Sequence, residues 1–124
     1  MNKVVHFEIP FDDKARSQKF YTEAFGWSFD EMPEIGYIGA TTTPIDETMT
    51  PTEPGSINGG MVERTPENPT PVITLEVESI DDHISKIEAA GGTMISPKGE
   101  VPGMGYYAYF KDSENNIMGL WQNM

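Results

Sequence analysis

The sequence predicts an α+β fold made of two copies of one strand–helix–three-strand unit, written here as βαβββ. Two segments, 4–9 and 72–77, alternate apolar and polar residues as half-buried strands do. Each is followed by a stretch with helical spacing that stops at glycine, and then by short strand-like runs. At 124 residues the chain suits one domain with its own core. We therefore expect a single domain over residues 1–124.

The first strand is predicted over Val4 to Ile9, with Pro10 ending it. Its two faces differ in chemistry: Val5, Phe7 and Ile9 alternate with His6 and Glu8. We expect the apolar set to face the core. The face that carries His6 and Glu8 is then free for a polar role.

A helix is predicted next, opened by Asp12–Asp13 and continuing to Phe25, with Gly26 as its stop. Three strands should follow in the first copy, near residues 27–29, 37–40 and 57–62. Residues 44–55 are rich in Pro, Thr and Glu, and they form a long connection that would serve as a lid, as a dimer arm or in neither role. Asn58–Gly59 is also a strong hairpin-turn signal, but the repeat favours a strand there.

The second copy begins at Val72, where Ile73, Leu75 and Val77 alternate with Thr74 and Glu76. Ser79 is the expected N-cap of a second helix, which ends near Gly91–Gly92. The later strands also match between the copies. Residues 36–39 align with 105–108, and residues 57–61 align with 117–121, which pairs Gly59 with Gly119 and Met61 with Trp121.

We assign module one to about residues 1–65, a proline-containing linker to about 66–71 and module two to about 72–124. One such module cannot bury its own sheet face and helix stripe, so the two should pack or pair to complete a core. The expected result is a curved mixed sheet that encloses a cavity lined by both modules.

The charge and cysteine count exclude several classes of function. The formal net charge is −12, from 20 acidic and 8 basic residues, which disfavours nucleic acid as a partner. The chain has no cysteine, so thiolate metal sites, disulfides and cysteine nucleophiles are excluded, and a cytoplasmic location is expected. The sequence after Met1 contains neither a signal peptide nor a membrane span, so we expect no membrane partner.

Three features resemble the vicinal oxygen chelate superfamily, which includes glyoxalase I, the bleomycin-resistance proteins and the extradiol dioxygenases. They are His6 on the first strand, the segment 20–27 (FYTEAFGW) and the ending 112–121 (DSENNIMGLW). The resemblance covers nearly the whole chain. It implies a glyoxalase-like fold of paired βαβββ modules with a concave pocket, and often a dimer.

In the metal enzymes of this superfamily, side chains on the first and last strands of both modules hold a divalent cation that stabilises charge on two substrate oxygens. The resemblance places His6 at the first of these positions. The corresponding positions are Thr74, Gly119 and Gly59 or a neighbour. One imidazole does not hold a transition metal alone. We therefore expect no bound metal and no cofactor, with a displaced site that uses nearby carboxylates such as Glu8, Glu63 and Glu76 as the alternative.

Candidate catalytic residues are His6, Glu8 and Glu76. Histidine titrates near neutral pH, and two glutamates related by the repeat could form a paired-carboxylate site for acid–base chemistry, or simply line a wet wall. The expected ligand pocket is wider than this catalytic group: it comprises His6, Glu8, Met61, Thr74, Glu76, Tyr107 and Trp121. Aromatic walls suit a flat, partly apolar ligand, and ordinary packing is the competing explanation.

The leading hypothesis is a glyoxalase-like protein that binds a small organic molecule, as a plain binder or as a metal-independent enzyme, and that forms a homodimer. One alternative is a metal-dependent lyase, isomerase or dioxygenase of the glyoxalase type. Another is a bleomycin-resistance-like protein that sequesters a cationic drug in an acidic groove.

Overall fold

The computed structural model describes the whole chain, Met1 to Met124, in two units. The N-terminal unit comprises His6–Pro71, and the C-terminal unit comprises Val72–Met124 together with Met1–Val5. Each unit contains one helix and both parallel and antiparallel strand pairs, so the predicted α+β class is confirmed. The single-domain assignment stays a prediction.

The N-terminal unit follows the predicted strand–helix–three-strand order. Its elements are β1 (Val4–Phe11, which lies in this unit from His6 onward), α1 (Lys14–Phe25), β2 (Ser28–Met32), β3 (Tyr37–Thr41) and β4 (Gly59–Glu63). Strand β4 pairs in parallel with β1 and antiparallel with β3, and β3 pairs antiparallel with β2. The predicted hairpin-turn alternative at Asn58–Gly59 is therefore wrong, because Gly59 begins a strand.

Strand β1 differs from its prediction in two ways. It continues through Pro10 to Phe11, with Pro10 opposite Val62, because the fixed φ of proline is compatible with extended chain. Burial also differs from the expected pattern, since Glu8 is only 7% exposed and is more buried than Phe7 or Ile9. The hydroxyl of Tyr37 contacts this carboxylate, and the alternation pattern of β1 does not indicate that contact.

Helix α1 begins and ends where the sequence indicates. Asp13 is the N-cap and accepts a hydrogen bond from the backbone N–H of Arg16, and Gly26 ends the helix at φ +73°, a left-handed conformation that suits glycine. No residue of α1 is buried, and Phe20 and Phe25 are both exposed.

The connection 44–55 contains a compact turn. Asp46 accepts hydrogen bonds from the Thr48 hydroxyl and from the backbone N–H groups of Thr50 and Thr48, and these bonds lower the pKa of its carboxyl group. Nearby, the Asn58 carboxamide oxygen accepts hydrogen bonds from the N–H groups of Thr42 and Thr43. The lid and dimer-arm roles of this connection stay predictions.

The C-terminal unit repeats the order with one strand divided. Its elements are β5 (Val72–Glu76), α2 (Ile80–Ala89), β6 (Thr93–Met94), β7 (Gly99–Val101), β8 (Gly105–Lys111) and β9 (Ile117–Asn123). Strand β9 pairs in parallel with β5 and antiparallel with β8, and both β6 and β7 pair with β8. Between β6 and β7, the Ser96 hydroxyl accepts a hydrogen bond from the N–H of Tyr109 on β8. This side-chain bond, next to Pro97, replaces a backbone bond and divides the strand that pairs with β8 into β6 and β7.

The core of the C-terminal unit lies between α2 and one face of its strands. Ser79 caps α2 by accepting a hydrogen bond from the N–H of Asp82, as predicted. The buried apolar side chains of this core are Val77, Ile80, Ala108, Phe110 and Leu120. Ile73 was expected in this core, but it lies near the start of β5 and is 44% exposed.

No helix in the structure has the length and apolar character needed to cross a membrane.

Candidate functional site

Three side chains of the N-terminal unit form a continuous hydrogen-bonded relay. The Nε2 atom of His6 lies 2.7 Å from the Tyr37 hydroxyl oxygen, and that hydroxyl donates a hydrogen bond to Oε2 of Glu8 at 3.0 Å. The imidazole and phenol rings also stack, with centroids 6.1 Å apart. We call His6, Tyr37 and Glu8 the relay. Its members can exchange protons through one shared phenol.

The strand register explains why these side chains meet. His6 and Glu8 are two residues apart on β1, so they project from the same face. Gly60 on β4 lies opposite Glu8, and Gly39 on β3 lies opposite Gly60, which places Tyr37 two residues further along on the same face. The Tyr37 side chain crosses from β3 toward β1 to reach both partners.

Glycine at position 60 makes room for the phenol. A Cβ atom added to Gly60 would lie 1.9 Å from the Tyr37 hydroxyl oxygen. Real atoms do not approach this closely, so any side chain at position 60 would displace the hydroxyl. The relay therefore depends on a glycine that contributes no functional group of its own.

The environment of His6 favours its neutral form. Burial removes water from the imidazole and lowers its pKa below the ordinary value, and the negative charge of Glu8 offsets only part of this effect. A neutral imidazole keeps one nitrogen as a proton acceptor. At neutral pH, His6 is therefore suited to act as a base.

The predicted ligand residues of module two lie on β5, β8 and β9 of the C-terminal unit. Thr74 is 7% exposed and lies opposite Gly119, whose added Cβ would be 2.6 Å from the Thr74 hydroxyl oxygen. Glu76 lies opposite Trp121, and Tyr107 also lies opposite Trp121 across the antiparallel pair. The register therefore places Thr74, Glu76, Tyr107 and Trp121 on one face of this unit.

A second hydrogen-bonded chain orients the aromatic ring on that face. The Trp121 indole N–H donates to the Asn123 side-chain oxygen at 2.8 Å, and the Asn123 amide donates to Oε2 of Glu76 at 3.2 Å. Tyr107 is 39% exposed, and an added Cβ on Gly99 would lie 2.5 Å from its ring. The face combines exposed aromatic surface with one carboxylate.

Met61 does not join the relay. It is 1% exposed and lies opposite Ile9, whereas its neighbour Gly60 lies opposite Glu8. Successive residues of a strand point to opposite faces, so Met61 points away from the relay and packs in the interior. The sequence alignment that paired Met61 with Trp121 is therefore one residue out of register with respect to these faces.

The sequence interpretation missed Tyr37 and Asn123 as functional candidates. Tyr37 had been noted only as part of the repeat at residues 36–39. The signal that pointed to it was the glycine pair Gly59–Gly60, because a glycine in a strand often marks a close approach by another group. Finding the partner of that glycine required the register.

The donor set does not fit a metal ion bound in the superfamily manner. Two of the four corresponding positions are glycines, and Thr74 is a poor ligand for a transition metal. In the N-terminal unit, the His6 Nε2 atom and the Glu8 carboxylate are already hydrogen-bonded to Tyr37. The structure contains no cluster of three or more His, Cys, Asp or Glu side chains arranged to hold a metal.

Comparison with known proteins identifies the class. Residues 3–43 match the family model described as bleomycin resistance protein-like N-terminal, and this segment contains the three relay residues. A glyoxylase-like domain-containing protein from Didymella fabae is 33% identical over 119 residues, which cover 91% of this chain and 88% of that protein. The chain therefore belongs to the glyoxylase-like domain proteins, which confirms the resemblance seen in the sequence.

Other relatives are longer than this chain. Two mycobacterial proteins, from Mycobacterium bovis and Mycobacterium tuberculosis, are provisionally named glyoxylase CFP32 and are 27% identical over 122 residues. The match covers 93% of this chain but only 43% of each relative. The chain thus spans less than half the length of these relatives.

Solved structures support the fold. A glyoxalase/bleomycin resistance protein/dioxygenase superfamily member from Vibrio splendidus matches with a TM-score of 0.63 at 14% identity, covering 100% of both chains. Methylmalonyl-CoA epimerase from Mycobacterium tuberculosis matches with a TM-score of 0.61 at 12% identity, covering 98% of this chain and 87% of the epimerase. These likenesses establish the glyoxalase-like fold that was predicted.

Proposed function

We propose that this chain binds a small organic molecule and transfers a proton to or from it without a catalytic metal, with the relay as the reacting group. The observation that carries the proposal is the relay geometry, in which a neutral imidazole is linked through one phenol to a carboxylate. Chains of this kind orient a base and balance the charge that it gains when it takes a proton. His6 is the proton-transfer residue, and Tyr37 and Glu8 position it.

The predicted ligand residues of the C-terminal unit are proposed as a contact surface in their own right. Thr74, Glu76, Tyr107 and Trp121 would provide aromatic surface and one carboxylate for a flat, partly apolar molecule. Met61 is not part of the proposed ligand contacts, because its side chain is buried on the face opposite the relay. A homodimer and a cytoplasmic location complete the proposal, and light scattering of the purified protein tests the dimer.

The first experiment combines a ligand screen with deuterium exchange. Ligands found by ligand-observed NMR are incubated with metal-free protein in deuterated buffer that contains chelator, and deuterium incorporation is followed by mass spectrometry. We expect exchange catalysed by the wild-type protein and a rate at least about 100-fold lower for His6→Gln, since a positioned base contributes on this scale. Tyr37→Phe should also slow exchange, because it removes the phenolic oxygen that connects His6 to Glu8.

The matched control is Tyr21→Phe. It removes the phenolic hydroxyl of a tyrosine on α1 that stacks on Trp27 and forms no hydrogen bond through its side chain. Its exchange rate should equal that of the wild type. Bound ligand without exchange would reduce the proposal to simple binding, and activity that needs one equivalent of added metal would replace it with the metal-dependent alternative.

A drug-sequestering function is the second candidate. It is supported by the bleomycin resistance protein-like match over residues 3–43 and by the net charge of −12, which favours a cationic ligand. It requires tight binding of cationic aromatic antibiotics that weakens as salt rises, with no chemical change in the drug. Isothermal titration at low and high salt, followed by mass spectrometry of the recovered drug, separates the two functions.

A further inference from the structure

The relay contains one phenolic proton, and its position determines which nitrogen of His6 carries a proton. A carboxylate can only accept hydrogen bonds, and a phenol has a single proton to donate. The Tyr37 hydroxyl donates that proton to Oε2 of Glu8. The short contact of 2.7 Å between the Tyr37 oxygen and His6 Nε2 therefore requires the imidazole to be the donor.

A neutral imidazole has one N–H and one lone pair on its two ring nitrogens. With the proton on Nε2, the lone pair is on Nδ1. The structure gives Nδ1 no hydrogen-bond partner, and protein atoms do not enclose this nitrogen completely. Nδ1 is therefore the ring nitrogen that remains available to a ligand.

We propose that Nδ1 of His6 is the atom that accepts a proton from the ligand, and that Glu8, acting through Tyr37, holds the imidazole in the Nε2–H tautomer. The inference rests on the proposed function of the relay and specifies the reacting atom. His6 is the catalytic residue, whereas Tyr37 and Glu8 are positioning residues.

The proton transfer balances without another reagent. The X–H bond of the ligand breaks, its electron pair stays on X, and an N–H bond forms at Nδ1. The imidazolium keeps its Nε2–H bond to Tyr37, and the negative charge of Glu8 compensates its positive charge through the phenol. The reverse step returns the proton from Nδ1 to the ligand, so one nitrogen serves as both base and acid.

The geometry also defines the class of ligand. Nδ1 is an acceptor, so the ligand must present an acidic proton, as an O–H, an N–H or a C–H next to a carbonyl group. Glu8, two residues away on β1, is the charged group that acts on the His6 imidazole. A neutral or cationic molecule fits this surrounding better than an anionic one, because the negative charge of Glu8 would repel an anion.

The tautomer can be measured on the ligand-free full chain. Long-range proton–nitrogen correlation spectra of ¹⁵N-labelled protein at pH 7.5 distinguish a protonated ring nitrogen from one with a lone pair. The chain has two histidines, and His83→Gln assigns the signals of His6. We expect Nδ1 of His6 to have the shift of an unprotonated nitrogen and Nε2 that of a protonated one.

Two variants test the role of the positioning residues. Tyr37→Phe removes the hydrogen-bond acceptor of Nε2, so the tautomer population should relax toward that of a free histidine side chain and the two nitrogen shifts should move toward each other. If that variant does not fold, Glu8→Gln provides the same test, because its amide can also donate a hydrogen bond and so allows the phenol to turn toward His6. Tyr21→Phe should leave the pattern of the wild type.

The outcomes also separate this inference from the proposed function. A protonated Nδ1 in the wild type, or averaged shifts for both nitrogens, would overturn the inference even if deuterium exchange is observed. A wild-type pattern that persists in both Tyr37→Phe and Glu8→Gln would overturn the role of the positioning residues. The expected tautomer, lost in the variants, supports the inference even if no ligand undergoes exchange, in which case only the proposed function fails.

Discussion

Gly60 in the N-terminal unit and Gly119 in the C-terminal unit occupy comparable positions with different neighbours. Each lies on the strand parallel to the first strand of its module, opposite a polar residue that is 7% exposed: Glu8 in one case and Thr74 in the other. Above Gly60 lies the hydroxyl of Tyr37, which comes from a third strand. Above Gly119 lies the hydroxyl of Thr74 itself.

This difference assigns different chemistry to the two copies. In the N-terminal unit, the space over the glycine admits a phenol that connects a histidine to a carboxylate. In the C-terminal unit, the polar chain runs from Trp121 through Asn123 to Glu76, and it orients an aromatic ring instead. A repeated scaffold thus holds a histidine–tyrosine–glutamate hydrogen-bonded chain in one copy and an oriented indole ring in the other.

The two helices also differ in how deeply their apolar residues are buried. Substitutions that compare them have the largest expected effect on stability. Ile80 at the start of α2 is 0% exposed and belongs to the core of its unit, whereas Phe20 on α1 is 56% exposed. Ile80→Ala should lower the free energy of unfolding by about 2–5 kcal/mol, since it leaves a cavity. Phe20→Ala should cost less than about 1 kcal/mol, because the site is open to solvent. Urea denaturation of both variants measures the difference.

Equal losses for Ile80→Ala and Phe20→Ala would mean that α1 is covered in solution. Self-association could cover the exposed aromatic residues of α1, and light scattering at the concentration of the denaturation experiment would detect it. A monomer with equal losses would contradict the contrast between the helices.

The two glycines give the second prediction. Gly60→Ala should destabilise the protein by about 1–3 kcal/mol, because the added methyl group forces the Tyr37 ring out of its position and breaks its hydrogen bonds to His6 and Glu8. Gly119→Ala should cost less, since rotation of the Thr74 side chain relieves a 2.6 Å contact with one hydroxyl. Thermal and urea unfolding of the two variants give the comparison.

A double variant shows whether the Gly60 effect acts through Tyr37. In a Tyr37→Ala background the space above position 60 is open, so adding Gly60→Ala should cost less than it does in the wild type. Strict additivity of the two losses would show that the clash with Tyr37 is not the cause.

Local sequence signals predicted the helices and strands. The candidate site could be located only from the strand register. The caps at Asp13, Gly26 and Ser79 depend on neighbouring residues and were therefore predictable. That His6 and Glu8 share a face follows from the two-residue period of β1. The role of Tyr37 depends on how β1, β4 and β3 align, and no local pattern determines that alignment. The same limit explains Met61, because a shift of one residue in the alignment moved it to the wrong face.

Substitutions at the two helix N-caps have smaller predicted effects on stability, of similar size in the two helices. Asp13 and Ser79 each accept a hydrogen bond from the backbone N–H three residues ahead, at 2.9 Å and 3.2 Å. Replacing either residue with alanine should cost about 1 kcal/mol, the usual value for losing a side-chain cap. Asp13→Ala should be the more costly of the two, because its negative charge also interacts with the helix dipole. A larger loss for Ser79→Ala in urea denaturation would contradict that order.

The smallest predicted effect is the dependence of stability on pH that the His6 imidazole contributes. Burial lowers the pKa of His6 in the folded protein, and the charge of Glu8 limits the effect. Protonation therefore favours the unfolded chain: the stabilisation is complete above the unfolded pKa of about 6.5 and is lost as the pH falls from there through the lower folded pKa. His6→Gln removes this titration, so between pH 8 and pH 5 its stability should fall less steeply than that of the wild type. Thr74→Ala, in the other copy, should keep the wild-type slope, and an unchanged slope in His6→Gln would show that the imidazole is not held in its neutral form by the fold.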